Sequence, residues 1–212
     1  MRFFLVSLGL ALPQLVHAQV FKSMEVGSYV LSATPQVRRP GGLLLRSSEQ
    51  LVVRDLAGKS TVYSPQQVSS FQLLQRQFVS TGGFQLLGGF GNRYVAQAFA
   101  EQLDSGQVVL LRYQLPASTA PSRGNLGYDD GAGRSVYLLR PASTFAVTPI
   151  QLGWSKNSPQ FREALRPYLA ARPDLLQLLD AKRLAPEQLP LLIHALNHNL
   201  PYSGPAGRAA RK

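Results

Sequence analysis

The sequence predicts an α+β fold: an antiparallel β-meander, strongly twisted or partly closed, followed by two or three short C-terminal helices. Two observations predict it. Between residues 27 and 152, short runs of β-branched, aromatic and aliphatic residues are separated by turn residues, as in antiparallel sheets. From Ser158 onwards, the apolar residues recur with a helical period of about 3.6 instead of the strand period of two. We therefore expect about eight short strands and then helices in one domain.

The N-terminus has the pattern of a secretory signal peptide. Arg2 precedes an apolar run from Phe3 to Val16, and the small residues around Ala18 suit a signal peptidase. We expect residues 1–18 to be removed and the mature protein to be exported, whether periplasmic, outer-membrane-associated or extracellular. The apolar run is shorter than the roughly 20 residues of a membrane span. The chain has no cysteine, which excludes disulfides and thiolate metal sites.

The β region is predicted to comprise residues 19–155. GSYVLSAT (27–34) alternates as a first strand, whereas QVRRPGG (36–42) is predicted to be a loop because Pro40 and the two glycines after it are unfavourable inside a strand. The following segments are predicted strands or strand starts: LLLRS (43–47), QLVVRDL (50–56), STVY (60–63) and the segment beginning at Phe78-Val79.

A long hairpin is the clearest β motif of the sequence. Asp104-Ser105-Gly106 forms its turn, and Val108–Tyr113 is its second arm. Residues 94–102 also have a composition compatible with a helix, but we favour a strand because the second arm needs a partner. The segment 116–134, rich in Pro, Ser, Gly and Asp, is predicted to be a mobile surface loop. A last hairpin turns at Pro141-Ala142.

Residues 156–200 are predicted to form the helical part of the same domain. Ser158 is the N-cap of a first helix with Pro159 at its first position, and Pro167 and Pro173 interrupt the helical run. A second short helix follows, and a third begins between residues 186 and 190 and ends near Asn199. Residues 201–212 are predicted to be a disordered basic tail.

The formal net charge of +11 comes mostly from arginine. Since exported proteins rarely meet nucleic acid, the expected partners are an envelope protein, a glycan or an anionic membrane surface. The alternative interpretation is that the scattered arginines bind no partner and serve only the solubility of the protein. Arginines and aromatic residues interleave in the β region, where an exposed face would suit a glycan or peptide and core packing is the alternative. The candidate binding residues are Arg76, Arg93, Arg112, Tyr94 and Tyr113, with Asp129 and Asp130 in the long loop.

His194 and His198 lie four residues apart on the third helix, opposite its leucine face. The HExxH motif of metallopeptidases is absent, so we interpret them as a solvated helix face and expect no metal or cofactor. The weaker alternative is a metal site whose third ligand is Glu187, on the same face. Glu101 and Asp104 near the hairpin turn, like Asp129-Asp130, are interpreted as turn-forming residues rather than a glycosidase pair. No nucleophilic serine motif is present, and no catalytic residue is assigned.

The runs VYSPQQVSSFQLLQRQFVS, FAEQLDSGQVVLLRY and SVYLLR, with the helical end 161–197, resemble a family of exported Bacteroidota proteins with no assigned activity. In that family, a strand ending in Tyr, a Pro turn and an aromatic strand precede a hairpin and a C-terminal helix ending near an asparagine. The corresponding positions here are Tyr63, Pro65, Val68 and Phe71, then 103–113, then 192–197. Leu196 stands where the family often has an aromatic. The resemblance covers nearly the whole mature chain and implies an exported antiparallel-sheet protein, without an activity.

Three functional hypotheses remain. The first is a non-enzymatic envelope or periplasmic protein that binds a partner protein, a glycan or an anionic surface. The second is a small metal-dependent or carboxylate-based hydrolase. The third is a structural module of an outer-membrane assembly, whose basic tail contacts acidic headgroups.

Overall fold

The fold was analysed on a computed structural model, which describes residues 23–87, 92–116, 128–129, 134–151 and 153–204. The expected signal peptide (1–18), Asp130 and most of the segment 116–134 lie outside the described residues. None of the helices in the described ranges has the length and hydrophobicity of a membrane span.

The described residues form one large antiparallel sheet and a small two-stranded one. The main sheet contains β1 (Glu25–Leu31), β2 (Arg38–Ser47), β3 (Gln50–Arg54), β4 (Ser60–Tyr63), β5 (Val68–Leu73) and β6 (Arg76–Thr81). It continues with β9 (Ala98–Asp104), β10 (Val108–Gln114), β11 (Tyr128–Asp129), β12 (Arg134–Pro141) and β13 (Thr148–Pro149). The small sheet pairs β7 (Phe84–Leu86) with β8 (Arg93–Val95). The predicted strand at 94–102 is divided in the structure, since Arg93–Val95 forms β8 of the small sheet and Ala98–Asp104 forms β9 of the main sheet. The hairpin of β9 and β10 is confirmed.

The strand order of the main sheet is β11-β12-β10-β9-β6-β5-β1-β2-β3-β4, and β13 also pairs with β12. The predicted antiparallel sheet is therefore confirmed, and it is not a closed barrel, since β4 and β11 are its edges. Strand β1 lies inside the sheet, between β2 and β5. The structure has more strands than the expected eight because β7, β8, β11 and β13 have only two or three residues each, too few to be recognised by alternation.

The sheet bends sharply between β4 and β5. Only residues 64–67 connect these strands, although β1, β2 and β3 separate them in the sheet, and a turn bond from Gln67 N–H to the Ser64 carbonyl shortens the connection further. Four strand spacings of about 4.8 Å exceed the reach of so short a segment, so a flat sheet is impossible. The rings of Tyr29 on β1 and Tyr63 on β4 accordingly lie 5.8 Å apart across the bend.

The predicted loop at 36–42 is wrong from Arg38 onwards, where β2 begins. Pro40, Gly41 and Gly42 are part of β2 and pair with Ser28, Gly27 and Val26 of β1. Pairing of β2 with β3 begins only at Gly42, so Pro40 lies where the strand has a neighbour on one side alone. A proline, which lacks an N–H group, is tolerated at such an edge position.

The predicted C-terminal helices are confirmed as α1 (Pro159–Leu169), α2 (Pro173–Asp180) and α3 (Leu189–Asn197), with a 3₁₀ turn at Pro186–Gln188 before α3. Two details differ. Pro167 lies within the last turn of α1 instead of interrupting it, and the Ser158 side chain makes no capping bond to the helix, because its Oγ accepts a hydrogen bond from Ser155 N–H.

Three apolar clusters form the core. One joins the helices to one face of β10 and β12, through Val108, Leu110 and Leu139. A second fills the opposite face of β9, β10 and β12, where Phe84, Leu86 and Val95 of the small sheet cover it. The third fills the inside of the bend around Phe71. Tyr202, expected in a disordered tail, is partly buried against the helical cluster because its ring packs on apolar side chains.

Candidate functional site

The end of α3 contacts the tip of the β9–β10 hairpin through polar side chains. The amide nitrogen Nδ2 of Asn197 donates to Asp104 Oδ1 at 2.7 Å and to the Val108 carbonyl at 2.8 Å. Its Oδ1 accepts from Val108 N–H at 3.0 Å. A Cβ atom added to Gly106 would lie 2.6 Å from Asn197 Cγ. The close approach of helix and hairpin therefore requires a glycine in the turn.

His194 on α3 and His198, the C-cap residue directly after α3, point to the same hairpin tip. His194 Nδ1 lies 2.8 Å from Asp104 Oδ2, and His198 Nε2 lies 3.8 Å from Asp104 Oδ1. The two rings are 4.3 Å apart between centroids. About half of each imidazole is exposed, 54% and 49%, whereas only 11% of the Asp104 side chain is exposed. The helix face is thus solvent-accessible, as expected, but it faces a carboxylate that the sequence did not associate with it.

Asp104, His194 and His198 each offer one metal-ligating atom, and these atoms all lie within 4.8 Å of one another. Glu187, the third ligand considered from the sequence, is exposed in the 3₁₀ turn and is not part of this group. Glu101 is also absent from it. Glu101 and Asp104, which the sequence analysis interpreted together as turn-forming residues, therefore have different partners in the structure.

Glu101 binds two arginines on the inner side of the sheet. Arg76 contacts both of its carboxylate oxygens, at 2.9 and 2.8 Å, and Arg112 contacts Oε2 at 3.2 and 2.7 Å. Only 10% of the Glu101 side chain is exposed. Burial raises the pKa of Glu101, but the hydrogen bonds from Arg76 and Arg112 outweigh burial, so the pKa lies below its ordinary value. Arg76, whose side chain is half exposed, and Arg112 therefore form an ion-pair network around a buried carboxylate.

The other candidate binding residues do not share one surface with this network. Arg93 pairs with Glu49 at 3.3 Å, and Tyr94 beside it is 67% exposed. Tyr113 is fully buried against Phe84, with ring centroids 5.5 Å apart. The expectation of an exposed aromatic face is therefore wrong for Tyr113, which is a core residue. Asp129 lies in β11, next to β12.

A groove lies between α1 and the end of the β10–β12 pair. Its lining includes Gln107, Glu163 and Tyr168. The Tyr168 hydroxyl is already engaged, since it donates to Thr148 Oγ1 at 2.8 Å or to the Leu139 carbonyl at 3.3 Å. Burial raises the pKa of Tyr168, against the lowering effect of the Thr148 hydrogen bond. Glu163 is the one acidic residue in this lining, so the groove has no carboxylate pair.

A further surface was not predicted, because the first half of its central strand β2, residues 38–42, was expected to be a loop. Cross-strand partners lie on the same face of a sheet, and Val26, Gly42, Arg54 and Ser60 are directly opposite one another on β1 to β4. We call the "outer face" the following residues of this side: Val26, Ser28, Val30, Arg38, Pro40, Gly42, Leu44, Val52, Arg54, Ser60 and Val62. None of them is acidic.

Comparison with known proteins adds no functional residue. No family model matches the sequence, and no curated protein or solved structure is significantly similar to the chain. The functional argument therefore depends on the contacts of the residues themselves.

Proposed function

We propose that the protein is an exported, non-enzymatic component of the cell envelope that docks onto an anionic membrane surface through its outer face. The observation that carries the proposal is the composition of that face, where exposed arginines and exposed aliphatic side chains occur together without a carboxylate.

The cations of the outer face are Arg38 on β2 and Arg54 on β3, both exposed. Arg38 donates a hydrogen bond to Ser28 Oγ at 3.0 Å, which holds its guanidinium over the sheet without neutralising it. At the neighbouring strand ends, the exposed cations Arg46 and Lys59 are balanced by the exposed carboxylates Glu49 and Asp55, so the cations that matter here are Arg38 and Arg54. Acidic headgroups attract such a group of cations, because each Lys or Arg near the surface contributes about 1 kcal/mol of binding free energy.

Exposed aliphatic residues accompany these cations. Val26 is 83% exposed, Val62 is 51% exposed, and Leu56 in the β3–β4 turn is 86% exposed. Side chains of this kind gain free energy by entering the boundary between headgroups and acyl chains. A glycan would instead be expected to use aromatic platforms, and Tyr29 and Tyr63 of these strands point to the inside of the bend. The surface therefore suits a lipid headgroup region better than a glycan.

The export of the chain, its periplasmic or outer-membrane location and its relation to the Bacteroidota family belong to the same proposal. The N-terminal sequence pattern and the quoted motifs support them. We further propose that the bend between β4 and β5 amounts to partial closure of this end of the sheet. Its short connection and the Tyr29–Tyr63 contact support that description.

Vesicle sedimentation tests the docking proposal. The purified chain is mixed with vesicles containing an anionic phospholipid or only a neutral one, at low and high salt. We expect binding to anionic vesicles that weakens with salt, because surface charges are screened. The variant Arg38→Gln, Arg54→Gln should bind about 10- to 30-fold more weakly, as two cations contribute about 2 kcal/mol.

The matched control is Lys156→Gln, Arg183→Gln, which removes the same charge from exposed positions outside the sheet. It should lose much less binding than the outer-face variant. Equal losses in the two variants would show that net charge, and not this face, drives binding. Absence of binding to anionic vesicles, or equal binding to neutral ones, would refute the proposal. Binding to an acidic glycan but not to vesicles would also refute it and would identify a glycan as the partner.

A further inference from the structure

We propose that Asp104, His194 and His198 bind one divalent transition-metal ion of the zinc class at the contact between the β9–β10 hairpin tip and α3. The inference is independent of membrane docking, since these residues are not part of the outer face.

The donor set suits such an ion. Two imidazoles and one carboxylate are the usual ligands of zinc sites that have three protein ligands and an open fourth position. Nitrogen donors favour Zn²⁺ and its neighbours in the transition series over Ca²⁺ or Mg²⁺, which prefer oxygen. Histidines four residues apart on a helix face the same way and can share one ion. The half-exposed rings leave the fourth position open to water.

The distances require only small adjustments. Tetrahedral ligation at about 2.0–2.1 Å places ligand atoms about 3.3 Å apart. His194 Nδ1 and Asp104 Oδ2 are 2.8 Å apart, His198 Nε2 and Asp104 Oδ1 are 3.8 Å apart, and one ligand atom from each residue lies within 4.8 Å of the others. Because both imidazoles are about half exposed, their rings have room to rotate towards a shared ion.

Asp104 is held in place by a neighbour that is not itself a ligand. Asn197 Nδ2 donates to Asp104 Oδ1 at 2.7 Å, which leaves Oδ2 directed at His194. Hydrogen bonds of this kind orient metal ligands, and their loss commonly weakens metal binding by about 10- to 100-fold. The Asn197 amide also makes hydrogen bonds to both the N–H and the carbonyl of Val108. The carboxylate is thus fixed before an ion arrives, which lowers the entropic cost of binding.

Bound metal would link residues that are about 90 positions apart in the sequence and so hold α3 against the sheet. The site would then act as a structural clamp with one open position. Its effect should appear as a thermal stabilisation that grows with the logarithm of the metal concentration above the dissociation constant, because a ligand of the folded state stabilises by mass action.

Calorimetric titration of the tag-free chain with Zn²⁺, and absorption spectroscopy with Co²⁺, test the site. We expect one equivalent bound and a zinc-dependent rise of the melting temperature. The variants His194→Ala and His198→Ala should each weaken binding by at least about tenfold, and the double variant should abolish it and the stabilisation. Both positions are exposed, so the variants should keep the fold, which circular dichroism checks.

Two further variants separate the competing ligand sets. Asp104→Asn should weaken binding, whereas Glu187→Gln, which alters the third ligand favoured by the sequence alone, should leave it unchanged. His17, in the expected signal peptide, is the one histidine outside the pair, and a His17→Ala variant should bind as the parent chain does. Absence of stoichiometric binding, or binding that survives in the double histidine variant, would overturn the proposal.

Discussion

Asn197 makes with Val108 the two hydrogen bonds that a neighbouring β-strand would make. Its side-chain amide accepts from the Val108 N–H and donates to the Val108 carbonyl, although it lies at the end of a helix. Val108 is 3% exposed, so water cannot easily replace these bonds. The first strand position after the hairpin turn is therefore paired by a side chain 89 residues away.

Replacing Asn197 by alanine should destabilise the fold by about 2–3 kcal/mol, because two buried backbone groups and one carboxylate lose their partner. Urea unfolding followed by circular dichroism measures the change. The control is Gln188→Ala in the 3₁₀ turn before α3. The Gln188 side chain accepts a single hydrogen bond, from Ala185 N–H, so this change should lower the free energy of unfolding by less. Equal effects of the two changes would contradict the role given to Asn197.

Gly106→Ala should destabilise the same contact by about 1–2 kcal/mol, since the new methyl group would lie 2.6–2.8 Å from three Asn197 side-chain atoms. The neighbouring Ser105→Ala change, at an exposed turn position, should be nearly neutral. Thermal melting of the two variants compares them directly. If Gly106→Ala were as stable as the parent, the tight packing of helix against turn would not be required.

Glu101→Gln should lower the free energy of unfolding at neutral pH by about 1–3 kcal/mol, because two arginines lose a charged partner; the exposure of Arg76 reduces the loss. Since the pKa of Glu101 in the folded protein is below its ordinary value of 4.5, the stabilisation is complete above that value. It disappears as the pH falls through the lowered pKa.

The difference between parent and Glu101→Gln should therefore vanish in acid, where Glu101 is protonated and uncharged like glutamine. Urea unfolding at a series of pH values from neutral to below the carboxyl range checks this. A difference that stays constant with pH would mean that the shape of the side chain, and not its charge, accounts for the stabilisation.

Gly27→Ala should prevent or strongly impair folding, with a loss above about 3 kcal/mol. A Cβ atom there would lie 2.1 Å from the Gln72 backbone oxygen and 2.8 Å from Leu43 Cδ1, and the backbone of β5 cannot yield locally. Gly42→Ala on β2 is the matched control, because its Cβ would meet nothing closer than 3.8 Å. Soluble expression and thermal melting distinguish the two.

Tyr113→Phe should be neutral or stabilising within about 1 kcal/mol, because the buried Tyr113 hydroxyl has no hydrogen-bond partner among the described residues. Tyr168→Phe is the comparison: it removes a hydroxyl bonded to Thr148 or Leu139 and should destabilise by about 1 kcal/mol. An equal drop of the melting temperature in the two variants would contradict the absence of a partner for the Tyr113 hydroxyl.

Local signals account for the part of the fold that could be predicted. The turn at 104–106 and the alternation on both sides of it predict the β9–β10 hairpin, and the change of period predicts the helices. Pro40 was misjudged because its acceptability depends on which side of β2 lacks a neighbour, and sheet order determines that. The insertion of β1 between β2 and β5 has no local signal either, since it arises from long-range packing inside the bend.

The candidate site was predicted only in part for the same reason. Helical periodicity places His194 and His198 on one exposed face, but Asp104 reaches them through the packing of α3 on the sheet. Glu187 was named as the third ligand of the alternative metal site because helical periodicity places it on the same face as the histidines. The outer face was missed because Arg38 was assigned to a loop. In the structure, Arg38 and Gly42 lie on the same side of β2, and Gly42 is directly opposite Arg54 on β3.

The position of α3 at the end of the described chain also has a consequence during synthesis. Val108 leaves the ribosome 89 residues before its partner Asn197, an interval of roughly 4 to 18 seconds at about 5–20 residues per second. Until α3 has been made, the cluster around Val108, Leu110 and Leu139 lacks the part of its helical cover that Leu192, Ile193 and Leu196 provide. A chain interrupted before residue 189 would contain α1 and α2 but would leave that part of the surface, and the backbone groups of Val108, without their partners.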